Sequence, residues 1–167
     1  MSSSIPWPLP HVGLLTDSIL NALRTEPKRK ASSSRIKEKM GHSEQQYELV
    51  ADALPERRYR LFVRQSLSNS GVFSVGLTLI LPDGDLILCR YNSGHHGHKN
   101  ILEKVKIPPA CHQHLMTQRY IVAGLEHRGF AVLRTEYTSV DGALALLVKE
   151  CNVLNVLKYE PQTKLFS

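Results

Sequence analysis

Apolar residues recur along this chain with two different periods, and the change between them divides it. Leu14, Leu15, Ile19, Leu20 and Leu23 fall at helical spacing and predict a short helix near residues 14–25. A second helix is predicted from Ser43, whose hydroxyl and Gln46 form a capping-box pair, with Tyr47, Val50, Ala51 and Leu54 on one face and Pro55 as its stop. From residue 58 the period becomes two. Tyr59, Leu61 and Val63 share one side of a strand, and Arg58, Arg60, Phe62 and Arg64 share the other. Phe73, Val75, Leu77, Leu79 and Leu81 then make a clean apolar face opposite Ser74, Gly76 and Thr78. Pro82-Asp83-Gly84-Asp85 is a turn signal joining this strand to Leu86–Tyr91 as a β-hairpin.

Beyond the hairpin the pattern weakens. Pro108-Pro109 interrupts the chain, and Cys111 to Gly124 reads as a short extended piece turning into a helix that carries Arg119 and Tyr120. Phe130 to Tyr137 alternates like a strand. Thr138 or Ser139 caps a last helix with Val140, Ala143, Leu144, Leu147, Val148 and Cys151 on its stripe, and Val153 to Tyr159 adds an edge strand. The expected class is α+β: N-terminal helices, a central antiparallel sheet containing the hairpin, and a C-terminal helix packed on the sheet.

Composition refines this picture at the N-terminal side. Three prolines and three serines surround Trp7, which reads as an extended arm, and Lys28-Arg29-Lys30-Ala31-Ser32-Ser33-Ser34-Arg35 reads as a flexible basic linker. The expected division is therefore a basic arm over residues 1–42 and one α+β domain over 43–167. Ile36–Met40, Gly41 and the second predicted helix imitate a helix-turn-helix, although that second helix is poor in Arg, Lys and Asn, which favours two packed helices with a solvated basic face.

With 167 residues the chain needs only one core. No apolar run approaches the roughly 18 to 20 residues of a membrane-spanning helix, and Met1–Pro10 lacks the features of a secretory signal. No membrane partner is expected. Cys89, Cys111 and Cys151 form no Cys-x-x-Cys pair and no disulfide framework, so cytoplasmic residence is the simplest expectation. Cys89 and Cys151 sit on apolar stripes and read as core, leaving Cys111, next to His112, as the thiol to consider as a nucleophile. A formal net charge of +6 makes an anionic partner, nucleic acid above all, a reasonable expectation.

Chemistry concentrates in one place. Five of the eight histidines, His95, His96, His98, His112 and His114, lie within twenty residues, in a segment that also carries Arg90, Tyr91, Asn92, Glu103, Cys111, Arg119 and Tyr120. Histidine titrates near neutrality and also ligates metals, so the cluster suits either proton transfer or metal binding. His95, His96 and His98 sit on a glycine-interrupted loop at the end of the hairpin. If His112 and His114 lie on a strand, their i, i+2 spacing puts both imidazoles on one side; on a helix they would diverge. For a metal such as zinc, the loop could supply two ligands and His112 or His114 the rest, with Glu103 and Cys111 as further donors, but no His-Glu-x-x-His motif is present. For metal-free chemistry, two histidines would act as base and acid, with Arg90 or Arg119 stabilising a phosphate-like transition state and Tyr91 and Tyr120 nearby. In RNA the 2′-hydroxyl itself supplies the nucleophile. A solvated Gly-His-His-Gly-His loop with no chemistry is the competing reading.

A strand, Pro82-Asp83-Gly84, a second strand ending Arg90-Tyr91-Asn92, and then Gly94-His95-His96-Gly97-His98 together resemble the TumE-like toxins of bacterial toxin-antitoxin systems over about residues 72–100. In that family a hairpin leads into a Tyr-Asp-Asn segment and a Gly- and His-rich stretch; here Asn92 follows Tyr91 directly, and the chain before the loop is longer. His112-Gln113-His114 with Thr117, Arg119 and Tyr120, and Gly142-Ala143-Leu144, look like an uncharacterised group of prokaryotic proteins. The resemblance implies a small α+β toxin acting on RNA and neutralised by an antitoxin protein.

These readings converge on a metal-independent, RNA-directed nuclease with His95, His96, His98, His112, His114, Arg90, Arg119, Tyr91 and Tyr120 as its catalytic pool and no cofactor required. Lys28, Arg29, Lys30, Arg60, Phe62 and Arg64 are the expected nucleic-acid contacts, Arg60, Phe62 and Arg64 by stacking and clamping. The alternatives are a non-catalytic module that binds nucleic acid or an acidic protein, and a histidine-rich metal-binding protein. An exposed strand edge would also permit a homodimer.

Overall fold

The computed structural model describes residues 5–32, 35–126 and 129–156. After a single 3-10 turn at Val12–Leu14, the chain runs α1 (Asp17–Thr25), β1 (Lys28–Lys30), β2 (Arg35–Lys39), β3 (His42–Ala51), β4 (Arg58–Ser66), β5 (Phe73–Leu79), β6 (Leu86–Asn92), β7 (His98–Asn100), β8 (Val105–Ile107), β9 (His112–Leu115), α2 (Gln118–Val122), β10 (Phe130–Leu133), α3 (Val140–Glu150) and β11 (Val153–Leu154). Nine of these strands form one sheet in the order β10-β9-β6-β5-β4-β3-β1-β11, with β2 also on β3, while β7 and β8 pair separately. The expected α+β class with helices first is overturned. This is a mostly β protein, a curled sheet carrying three short α-helices among the described residues.

The largest correction concerns residues 43–54. They do not form a second helix, and with it the helix-turn-helix imitation disappears; His42–Ala51 is the longest strand of the sheet, paired with β4 along its length. Its inward positions are Ser43, Gln45, Tyr47, Leu49 and Ala51, all buried. Two of these five are polar, and that hides the alternation from a reading by hydropathy. Tyr47, Val50 and Ala51 happen to satisfy a helical stripe as well.

Lys28–Lys30 is likewise no flexible linker but β1, antiparallel to β3 and parallel to β11. The cause is visible at Lys28, which is fully buried; its ammonium donates to the carbonyls of Arg24 and Glu26 at the end of α1 and of Cys151 at the end of α3. Helix C-termini carry unsatisfied carbonyls and partial negative charge, so one buried cation caps two helices. Ser33, Ser34 and residues 157–159, parts of the expected linker and edge strand, lie outside the described residues. The expected strand 130–137 ends at Leu133.

One face of the sheet is the core. Tyr47, Leu49, Tyr59, Leu61, Val63, Val75, Leu77, Cys89 and Tyr91 project to it and are covered by Leu20 and Leu23 of α1 and by Ala143, Leu144 and Leu147 of α3. The hairpin β5–β6 forms across the Pro82–Asp85 turn with a bulge at Leu77/Thr78. Strand alternation puts Arg64, Ser74, Arg90, Asn92, His112 and His114 on the opposite face. No helix among the described residues is long and apolar enough to cross a membrane.

Candidate active site

β9 is a strand, so His112 and His114 point the same way, and their register on β6 sets them opposite Asn92 and Arg90. Their rings lie 5.0 Å apart between centroids. The chain then brings in the other histidine segment. After β6 it turns through Ser93–Gly97, and β7 begins at His98, whose ring is 4.6 Å from that of His114 and 6.2 Å from that of His112, nearly parallel to the latter at 17°. Two glycines make this approach possible. A Cβ on Gly94 would sit 2.8 Å from Ala110 Cα, and one on Gly97 would sit 3.0 Å from the Ile107 carbonyl oxygen, so the loop packs against the chain leading into β9 at distances only glycine allows.

The three imidazoles are held from behind. His112 Nδ1 is 2.9 Å from the Ala110 carbonyl oxygen and His98 Nε2 is 3.2 Å from that of Gly129, contacts that orient both rings. Gly129 has φ of +67°, and a Cβ there would press on His114 Nδ1 at 3.1 Å. That Nδ1 is buried with no hydrogen-bond partner among the described residues, as is Nε of Arg90. Burial, with the Arg90 charge and the other two imidazoles beside it, pushes the His114 pKa down to about 3. The His112 pKa is also lowered, by burial first and then by His98 and Arg90, against the opposing effect of the Ala110 carbonyl. Both are therefore neutral at pH 7. Burial and the neighbouring Arg64 lower the Arg90 pKa too.

These groups line a cavity of about 820 Å³. The sheet curls enough that His42 at the start of β3 and His112 on β9, four places apart in strand order, both border it. Arg64, Arg90 and Lys99 also line it, with six histidines and no Asp or Glu among the described residues. Asn92 is held there by Ser74, whose hydroxyl donates to its Oδ1 at 2.7 Å.

The remaining expected site residues scatter. His95 and His96 border the cavity from the exposed loop, ring against ring at 4.2 Å. Tyr91 faces the core and donates to Glu150 at 2.5 Å. Arg119 and Tyr120 both bond to Glu103, at 2.6 and 2.5 Å, and none of these three lines the cavity. Cys111 does not line it either, while Cys89 and Cys151 are buried with sulfurs 3.8 Å apart. Lys28 is the helix cap described above, Arg29 pairs with Asp52 at 3.3 Å, Lys30 lies over the Tyr47 ring, and Arg60 pairs with Glu48 and Asp85. Phe62 is not an open stacking platform: its ring lies on Gly76, where a Cβ would be 2.2 Å away, and it is 7% exposed. Arg64 pairs with Glu44 at 3.2 Å yet still borders the cavity. Sequence reasoning missed His42 and Gly129; reading β3 as a helix concealed His42, whereas Asn92 follows from Arg90 by strand parity.

As a donor set, His98, His112 and His114 are the residues that could hold a transition metal, although among the described residues no group of three or more His, Cys, Asp or Glu side chains is arranged around a metal position. Compared with known protein families, with curated proteins and with solved structures, the chain matches none.

Proposed function

We propose that this chain is a toxin-like, RNA-directed nuclease in which Arg90 holds the scissile phosphate and His98 and His112 move the protons. One observation carries the reading. The Arg90 side chain has no carboxylate or hydrogen-bond partner among the described residues, its Nε is buried, and it lies beside three imidazoles in a cavity that no described Asp or Glu lines. A half-buried guanidinium without an anion has lost part of its hydration uncompensated, and a bound phosphodiester relieves that cost with charge-assisted hydrogen bonds.

His112, neutral and with Nδ1 committed to Ala110, keeps Nε2 free to accept the 2′-hydroxyl proton. The 2′-oxygen attacks phosphorus, the bond to the 5′-oxygen breaks, and His98 gives a proton to that leaving oxygen. The products are a 2′,3′-cyclic phosphate and a 5′-hydroxyl. Arg90 stabilises the charge on the phosphoryl oxygens as the 2′-oxygen attacks. An antitoxin partner and a cytoplasmic site of action rest on the resemblance over residues 72–100 and on the substrate.

The test is incubation with single-stranded RNA in excess chelator, with product termini identified by mass. Wild type is expected to leave cyclic phosphate ends, and His112→Ala and Arg90→Gln to lose at least about a hundredfold in rate. Cleavage that chelator abolishes and zinc restores would replace this reading with a metal-dependent one. RNA bound but left intact would replace it with a binding module.

A further inference from the structure

The polar face of the sheet does not stop at the cavity. Following Cα partners outward from His112 gives Asn92, Ser74, Arg64, Glu44 and Lys37, one residue on each successive strand from β9 to β2. The neighbouring row runs His114, Arg90, Gly76, Phe62, Gln46 and Arg35, and a third joins Ser66, His42 and Lys39. Residues paired across strands project to the same side. Arg35, Lys37 and Lys39 are therefore on the face that holds the imidazoles, five strand spacings or about 24 Å away along the sheet.

Their arrangement separates charge by side. All five residues of β2 are exposed, and its three cations fall on the cavity side while Ile36 and Glu38 fall on the other. Arg35 reaches Glu48 at 3.8 Å, but Lys37 and Lys39 have no ion-pair partner among the described residues. The turn between β2 and β3, Met40 and Gly41, itself borders the cavity. Lysines on an edge strand also discourage sheet-to-sheet pairing, but that role does not require them all on one side.

Resting on the nuclease reading, we propose that β2 is the backbone-binding platform for single-stranded RNA, which crosses the sheet from Lys37 and Lys39 to place one phosphate on Arg90. A single strand is the form that fits. Arg90 Nε is buried and His112 is 4% exposed, so the anion must descend to a floor that phosphates on the outside of a rigid duplex cannot reach. Arg90 on β6 is four strand spacings, about 19 Å, from β2, a span of roughly four nucleotides and the lower end of single-strand site sizes.

Binding is measured on the full chain by fluorescence anisotropy, using a 2′-O-methyl 12-mer that lacks the nucleophile, the corresponding dinucleotide and a duplex. Lys37→Gln/Lys39→Gln is expected to weaken 12-mer binding about tenfold more than dinucleotide binding, and to flatten the slope of log K against log salt by roughly 1.4, the value for two lost phosphate contacts on a single strand. Ile36→Gln/Glu38→Gln, on the other side of the same strand, controls for damage to β2 and should leave the 12-mer affinity unweakened. Equal 12-mer affinity in the lysine variant and wild type overturns the proposal. So does a duplex bound as tightly as the single strand, or a wild type that polyglutamate occupies in place of RNA. Length-dependent binding that the lysine variant loses, with no cleavage of unmodified RNA by wild type, leaves the platform standing and removes the nuclease reading.

Discussion

At the residue scale the site is an arrangement of groups kept neutral or unpaired at a cost. His114, with its pKa near 3, binds a proton in the unfolded chain before it does so in the folded one. Between pH 6.5 and 3 the unfolded state therefore carries more protons, and stability falls as pH falls through that window, by up to about 1.4 kcal/mol per pH unit before discounting for the partial exposure of the ring. Urea melts at pH 7.5 and 4.5 are expected to show this loss, and His114→Gln to show less of it. Gly76 carries a different constraint. Because the Phe62 ring occupies the place of its Cβ, Gly76→Ala is expected to cost about 1 to 3 kcal/mol in the same melts, and Gly76→Ala/Phe62→Leu to recover part of it.

At the element scale, the pieces that position the chemistry are a strand and a loop, and they were legible to different degrees. The β5–β6 hairpin could be read because its apolar face is unbroken and its turn is strong, so Arg90 and Asn92 were placed at the end of a strand from residues alone. β9 was legible only in part. Cys111 to Gly124 read as an extended piece turning into a helix, and β9 and α2 agree with that, but whether His112 and His114 faced together depended on a pairing with β6 that no local pattern encodes. β3 was hidden by Ser43 and Gln45, and β1 by a lysine that the carbonyls at the ends of two helices, one of them distant in sequence, make comfortable in the interior. Arg119 and Tyr120 likewise lie away from the cavity, both bonded to Glu103, a contact that no local pattern encodes. The loop from Ser93 to Gly97 is where an element-level change should act on function and stability together. Gly94→Ala sets a methyl 2.8 Å from the backbone at Ala110 Cα, so loop and β9 must part; it is expected to lower RNA cleavage tenfold or more by moving His98 from His112 and His114, and to lower the unfolding midpoint as well.

At the scale of the whole molecule, the sheet has two unlike faces. The helices take the apolar face; the polar face carries Arg90, the imidazoles and the cations of β2. The formal charge of +6 is therefore not spread evenly in effect, because Arg29, Arg57, Arg60, Arg64, Arg119 and Arg134 are all in ion pairs. Salt should weaken RNA binding through the few cations left unpaired, and the salt slope of Arg60→Gln is expected to match wild type because that guanidinium already has two carboxylates.

Lys28 gives the chain a timetable. Two of the carbonyls that receive its ammonium are made within four residues of it, but the third, Cys151, and the β11 partner of β1 emerge more than a hundred residues later. During synthesis β3 to β6 and β9 can pair as they appear, whereas β1 holds a charge it cannot yet bury. Closure of the sheet at β1 and β11, and with it the full support of the cavity, thus waits for α3. A cell making this protein has that interval in which a partner can meet a nearly complete chain before the face that carries the imidazoles is firmly built.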